Sequence, residues 1–95
     1  MVMTEESVRH NTAKSRYELE VDGMLAIATY WREGNIMTFD HTFVPPALEG
    51  RGIGSRLVAG ALDDVRRQGR KFVPTCSFVV AYAKRHPETQ DLLAV

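Results

Sequence analysis

Val44-Pro45-Pro46-Ala47-Leu48-Glu49-Gly50-Arg51-Gly52-Ile53-Gly54-Ser55-Arg56-Leu57 is the stretch that decides how this chain is read. Before it, residues alternate in the manner of a strand, and after it apolar residues recur at helical spacing. Gly50, Gly52 and Gly54 let the backbone approach a ligand closely and adopt dihedrals that a Cβ disfavours. Such a turn leaves the first N–H groups of the following helix pointing outward, with the positive end of the helix dipole behind them. That arrangement binds phosphate or pyrophosphate. A glycine-rich turn can also be a plain hairpin or cap, but the strand before and the helix after favour the phosphate reading.

Two familiar phosphate loops do not fit. A nucleotide P-loop needs Gly-Lys-Ser/Thr after four spacer residues, and no lysine follows Gly54. A dinucleotide fingerprint needs Gly-x-Gly-x-x-Gly and room for two mononucleotide-binding halves, which 95 residues do not offer. The spacing from Glu49 to Gly54 resembles the acetyl-CoA pyrophosphate loop of the GCN5-related N-acetyltransferases, Gln/Arg-x-x-Gly-x-Gly/Ala. Glu49 stands where that pattern has Gln or Arg, a departure that sets an acidic side chain near the phosphates. Backbone amides do the binding, so the loop survives it.

The length predicts one domain, residues 1–95, near the lower limit for a self-sufficient hydrophobic core. At 44% hydrophobic the composition is globular. No apolar run reaches the length of a membrane span, and Met1 to Lys14 is polar without a signal-peptide core, so a cytoplasmic protein is expected. One cysteine excludes an internal disulfide, and Cys76, His10, His41 and His86 lack zinc-ligand spacing, so no metal is expected. Twelve basic residues balance twelve acidic ones, which gives no bulk charge to attract nucleic acid. Arg51, Arg56, Arg66, Arg67, Arg70 and Lys71 nevertheless collect around the loop and its helix. They read as a solvated helix face, with Arg51 and Arg56 also placed to meet CoA phosphates.

The element pattern predicts strands over Arg16 to Val21, Met24 to Trp31 and Ile36 to Val44, joined by tight turns at Asp22-Gly23 and Glu33-Gly34-Asn35. Alternation along the third strand puts Met37, Phe39, His41 and Phe43 on one face. A helix over Ser55 to Gln68 stops at Gly69, and a short strand over Lys71 to Thr75 contains Pro74, which favours a sheet edge. A second helix runs from Ser77 to about Arg85, before Pro87. The expected fold is α+β: a mostly antiparallel sheet of about four strands with a right-handed strand–helix–strand unit and a C-terminal helix.

Asp40-His41-Thr42, the glycine loop, Cys76-Ser77-Phe78, His86-Pro87-Glu88 and Gln90-Asp91-Leu92 together resemble the small stand-alone acetyltransferase-like proteins of the YjdJ type. These lack the helical pair that larger members carry between their first strands, and the Asp22-Gly23 hairpin leaves no room for one. The resemblance implies a minimal GNAT-like fold with acetyl-CoA as cosubstrate and an amine or peptide as acceptor. Main chain near Phe43 and Val44 would meet the pantetheine arm, and Glu49, Gly50, Arg51, Gly52, Ile53, Gly54, Ser55 and Arg56 the pyrophosphate. Matching Cys and His residues are the proposed active-site pair of the subfamily, which points to Cys76 and His41. Phe39 and Asn11 fall on the acceptor side.

Cys76 precedes the last helix, where the helix dipole stabilises a thiolate. Two mechanisms stay open: Cys76 accepts the acetyl group with His41 as its base, or His41 deprotonates an amine for direct attack. A buried thiol and a core imidazole are the structural alternatives. Tyr82 could donate to the departing CoA thiolate, although packing is the stronger expectation for it. Asp40 and Thr42, on the opposite face of a regular strand, are not expected to orient His41. The leading function is an acetyl-CoA-dependent N-acyltransferase. The alternatives are a CoA or acyl-CoA binding module with little transferase activity, and a plain interaction domain.

Overall fold

The computed structural model describes residues 7–94; residues 1–6 of the polar N-terminal stretch, and Val95, lie outside the described residues. Five strands form one mixed sheet in the order β1-β2-β3-β4-β5, where β1 is Arg9–Asn11, β2 Arg16–Val21, β3 Met24–Glu33, β4 Ile36–Phe43 and β5 Lys71–Pro74. Neighbours are antiparallel from β1 to β4, and β5 runs parallel to β4. Helix α1, Ile53–Arg67, connects β4 to β5, and α2, Ser77–Arg85, follows β5. The strand beyond the four expected is β1, which is too short to show alternation and is recruited by pairing with β2. A 3₁₀ segment, Pro87–Leu92, also goes beyond the expectation.

One face of the sheet carries the core. Tyr17, Leu19, Ala28, Met37, Phe39 and Phe72 are buried there under both helices. Helix α1 contributes Ile53, Leu57, Val58, Ala61, Leu62 and Val65 along a single stripe. Fully burying a Leu or Val side chain stabilises by about 1.5–3 kcal/mol, so this stripe is what fixes the position of the helix. The end of α1 is closed by two backbone bonds around Gly69: Arg70 N–H to the Val65 carbonyl at 3.0 Å and Gly69 N–H to the Arg66 carbonyl at 3.1 Å.

Two irregularities in β4 shape the site. Thr29 pairs with His41, and the next residue, Tyr30, pairs with Phe39, so Asp40 is an extra residue in a β-bulge. Met37 and Phe39 face the core, but beyond the bulge the alternation is shifted by one. Thr42, opposite buried Ala28, points to the helix side, while His41 and Phe43 turn to the open face. The expectation that His41 and Phe43 share a face with Phe39 is thereby corrected. The second irregularity is the ladder between β4 and β5, which stops at Phe39 and Pro74. Pro74 offers no N–H, and the N–H groups of Thr75 and Cys76 both turn back to the Phe39 carbonyl, at 3.1 Å each. From there to Phe43, β4 is paired with β3 alone.

Candidate functional site

The glycine loop lies at this opening. Pro46–Leu48 forms a 3₁₀ turn anchored by fully buried Leu48, which fixes where the loop leaves the sheet. Gly50 and Gly52 have φ of 84° and 72°, the left-handed region that a β-branched side chain resists. Gly52 is the N-cap of α1 and supplies no side-chain cap, and the first turn holds no acidic residue. Arg56 N–H reaches the Gly52 carbonyl at 3.1 Å, so the N–H groups of Ile53, Gly54 and Ser55 precede the first intrahelical bond. They border a cavity of about 340 Å³, which Thr42, Val44, Glu49 and Phe78 also line. Gly54 is helical, and a Cβ there would come within 2.6 Å of the tip of the Phe78 ring, so its smallness serves packing between the two helices. The open donors, the dipole and the cavity suit a pyrophosphate. Val44 and the singly paired stretch of β4 suit an extended arm that carries amides.

Cys76 is the N-cap of α2 and is half-buried. Its Sγ lies 3.5 Å from Thr42 Oγ1. Burial alone would push the thiol up. The Thr42 hydroxyl, with help from the N–H groups of Val79 and Phe78, outweighs that and holds the pKa below its ordinary value. Those N–H groups act without the geometry of a capping bond. The thiol is therefore poised toward thiolate by hydrogen bonding at a helix start.

Several expected partners lie elsewhere. His41 is exposed on the open face, and the side chain beside Cys76 is that of Thr42, because the Asp40 bulge exchanges the two faces. Phe39 is 1% exposed, packed against Tyr30 and Phe72, and cannot meet an acceptor with its side chain. Asn11 lies in β1, with β2 and β3 between it and β4. It caps the Thr12–Lys14 turn, accepting from Lys14 N–H at 3.2 Å and donating to Glu18 at 2.9 Å. Arg51 turns away from the loop and donates to Asp22 at 2.9 Å, tying the loop to the β2–β3 hairpin. Glu49 is exposed at the loop entrance. Tyr82 is buried and stacked on His86 at 3.9 Å, in keeping with a packing role. Thr42 and Phe78 are the contributors that sequence reasoning missed. Thr42 was set aside because regular alternation gave it the wrong face, and Phe78 carried no signal beyond its place next to Cys76 and Ser77.

A bare α1 N-terminus beside a splayed pair of parallel strands is the arrangement of the GCN5-related N-acetyltransferases. A model of that family matches residues 16–92, and the chain belongs to it. Among individual relatives, Protein NATD1 of Mus musculus is 33% identical over 88 residues, spanning 90% of this chain and 80% of the relative. Protein NATD1 of Danio rerio is 28% identical over 94 residues, spanning 96% and 86%. The solution structure of a GCN5-like protein from Staphylococcus aureus superimposes with a TM-score of 0.72 over 96% of this chain and 90% of that one. At 24% identity, that likeness is one of fold. Among the described residues no group of His, Cys, Asp or Glu is arranged to hold a metal ion, and no helix is long and apolar enough to cross a membrane.

Proposed function

We propose that this protein is an acetyl-CoA-dependent N-acyltransferase that moves an acetyl group to an amine or peptide acceptor through Cys76. One observation carries the reading. Thr42 lines the cavity in front of the α1 N-terminus and also hydrogen-bonds Cys76, which links the open N–H donors of the loop to the thiol. The N–H groups of Ile53, Gly54 and Ser55 hold the pyrophosphate, and the singly paired edge of β4 near Phe43 and Val44 holds the pantetheine arm. The Cys76 thiolate attacks the thioester carbonyl and CoA departs as its thiolate. The acceptor amine then attacks the carbonyl carbon of the Cys76 thioester, the C–N bond forms as the amine gives up a proton, and the C–S bond breaks with Cys76 leaving as thiolate. The bulge turns His41 away from the thiol, so its role would be that of base for an amine that approaches from the open face of β4. A single unpaired thiol suits a reducing, cytoplasmic setting.

The test is to supply acetyl-CoA with a panel of amines and peptides and to follow CoA release, with intact-protein mass spectrometry for an acetyl adduct on Cys76. An adduct that is consumed by an amine supports the reading. Transfer without an adduct, retained in Cys76→Ala, assigns direct attack with His41 as base. A second reading, a CoA-binding module without transferase activity, is favoured by the acidic Glu49 at the loop and by Thr42, not an imidazole, beside the thiol. CoA binding with no transfer to any acceptor would establish it.

A further inference from the structure

The far end of α1 holds a second cavity, of about 330 Å³, lined by Tyr30, Arg32 and Arg70 together with His10, Thr12 and Ser15. The 15 residues of α1 separate it from the glycine loop by about 22 Å. Arg16, Arg51, Arg66 and Arg67 each hold a carboxylate. Neither Arg32 nor Arg70 has a hydrogen-bonded or ion-paired side-chain partner among the described residues. The turn around Gly69 satisfies the last carbonyls of α1 internally and directs the chain at Arg70 toward this cavity. Two uncommitted guanidinium groups that converge on a polar cavity make an anion site, since the guanidinium fork matches the oxygens of a phosphate.

Behind the cavity lies a chain of polar contacts, a hydrogen bond from Tyr30 to His10 and an ion-pair contact from His10 to Asp64. Tyr30 Oη is 2.6 Å from His10 Nε2, and His10 Nδ1 is 3.2 Å from Asp64 Oδ2. Asp64 also accepts from Tyr17 at 2.7 Å and from Gln68 at 2.5 Å, while Arg67 holds its other oxygen at 3.1 Å. The imidazole is stacked on Tyr17 at 4.2 Å, which fixes its orientation. We propose that this cavity binds a phosphate-class dianion between Arg32 and Arg70, and that the Tyr30–His10–Asp64 chain couples binding to the uptake of one proton.

The coupling follows from donor counting. A neutral imidazole that keeps its proton on Nδ1, the nitrogen facing the Asp64 carboxylate, must accept at Nε2, which turns the Tyr30 hydroxyl proton inward. A proton taken from solvent at Nε2 makes that nitrogen a donor to the Tyr30 oxygen, and the hydroxyl proton is released toward the cavity as a further donor for the anion. The charged groups around the ring are Asp64 and Arg67 from α1, Arg70 just after it and Arg32 from β3, with the hydroxyls of Tyr17 and Tyr30. Burial holds the imidazole below its ordinary value; Asp64 opposes this, and Arg70 and Arg32 add to it. A dianion between the two guanidinium groups offsets their share and favours the imidazolium. Affinity therefore rises as pH falls through the His10 pKa, below the usual 6.5.

Sulfate is the probe for the test, because it stays a tetrahedral dianion across the range. The whole chain is titrated with sodium sulfate by amide NMR, against sodium chloride at matched ionic strength. Saturable shifts at Thr12, Ser15, Arg32 and Arg70 are expected, with affinity reduced about tenfold or more in the surface double variant Arg32→Gln/Arg70→Gln. The wild type should bind several-fold tighter near pH 5.5 than near pH 7.5, and His10→Gln should bind without that slope. Shifts no larger than those from chloride, or unchanged affinity in the double variant, would overturn the site. A flat wild-type profile, or a slope retained in His10→Gln, would overturn the proton link. Tighter binding of methyl phosphate than of inorganic phosphate would assign the ligand as a phosphoryl ester, and the reverse order would assign the free ion. CoA binding should be unchanged in the double variant, which keeps this outcome separate from that of the glycine loop.

Discussion

Helices α1 and α2 both begin without a side-chain cap, but their N-termini present different groups. At α1 the N-cap is Gly52 in the left-handed region, and the groups presented to the cavity are backbone N–H groups. At α2 the N-cap is Cys76 in an extended conformation, and the group presented is one sulfur held by Thr42. The first end depends on backbone shape, so it tolerates many side chains and rejects bulk at particular positions. The second depends on the identity of a single atom, and almost any replacement removes it. Thr42 connects the two, since it lines the cavity in front of α1 and hydrogen-bonds Cys76.

The sharpest way to break this contrast is Cys76→Ala. If the thiol carries the acetyl group, transfer should fall by about a hundredfold or more while CoA affinity, measured by calorimetry, stays the same. Full-rate transfer would make the α2 end structural. Next comes Gly52→Val, which forces a β-branched residue to φ 72° and costs about 1–3 kcal/mol of local strain. CoA affinity should fall about tenfold or more with the fold retained by circular dichroism, and undiminished affinity would show that the α1 end is not the phosphate site. Thr42→Val sharpens the second half of the comparison. The midpoint of the Cys76 alkylation rate against pH, low in the wild type, should move up by about one unit while CoA binding changes little. An unmoved midpoint would mean that Thr42 does not stabilise the thiolate. Glu49→Gln is the mildest change. Removing an exposed charge from the loop entrance should tighten CoA by about two- to threefold, and weaker binding would mean that Glu49 assists the loop.

The parts that could be read from sequence were those set by spacing and stereochemistry. Asp22-Gly23, Gly34 and Gly69 punctuate the chain where the turns fall, the apolar stripe of α1 gives its buried side, and Pro74 marks the end of the β4–β5 ladder. The loop from Glu49 to Gly54 announced a helix N-terminus, and α1 does begin there with Gly52 as its N-cap. What escaped depended on tertiary choices. Strand β1 is three residues long and exists only because β2 offers it an edge. Asn11 looked placed for chemistry near the first strand, but that strand lies across the sheet from β4. Arg51 sits within the motif, yet it found Asp22 on a hairpin 29 residues away in sequence. The contact matters for any titration with CoA, since shifts at the loop have a direct path to that hairpin. Thr42 was misread because a period of two holds only while every residue is paired, and the sequence around Asp40 gives no warning that one is not.

That extra residue has an unexpected consequence. A bulge works as a parity switch, joining two correctly patterned half-strands that are out of step with each other. It follows that Asp40 behaves as an insertion: remove it, and Phe39 and His41 become consecutive opposite Tyr30 and Thr29, their existing partners. Thr42 would still face the helices and His41 would still face outward, with the bulge and the hydrogen bond from the Thr29 hydroxyl to Asp40 lost. The chain shortened at Asp40 should therefore keep the alkylation midpoint of Cys76, whereas the equally small change of deleting Thr38, two residues upstream, would turn Met37 and everything before it to the wrong side of the sheet. Neighbouring positions on one strand thus differ sharply in how they tolerate a lost residue, and the difference is set by the ladder's arithmetic rather than by burial.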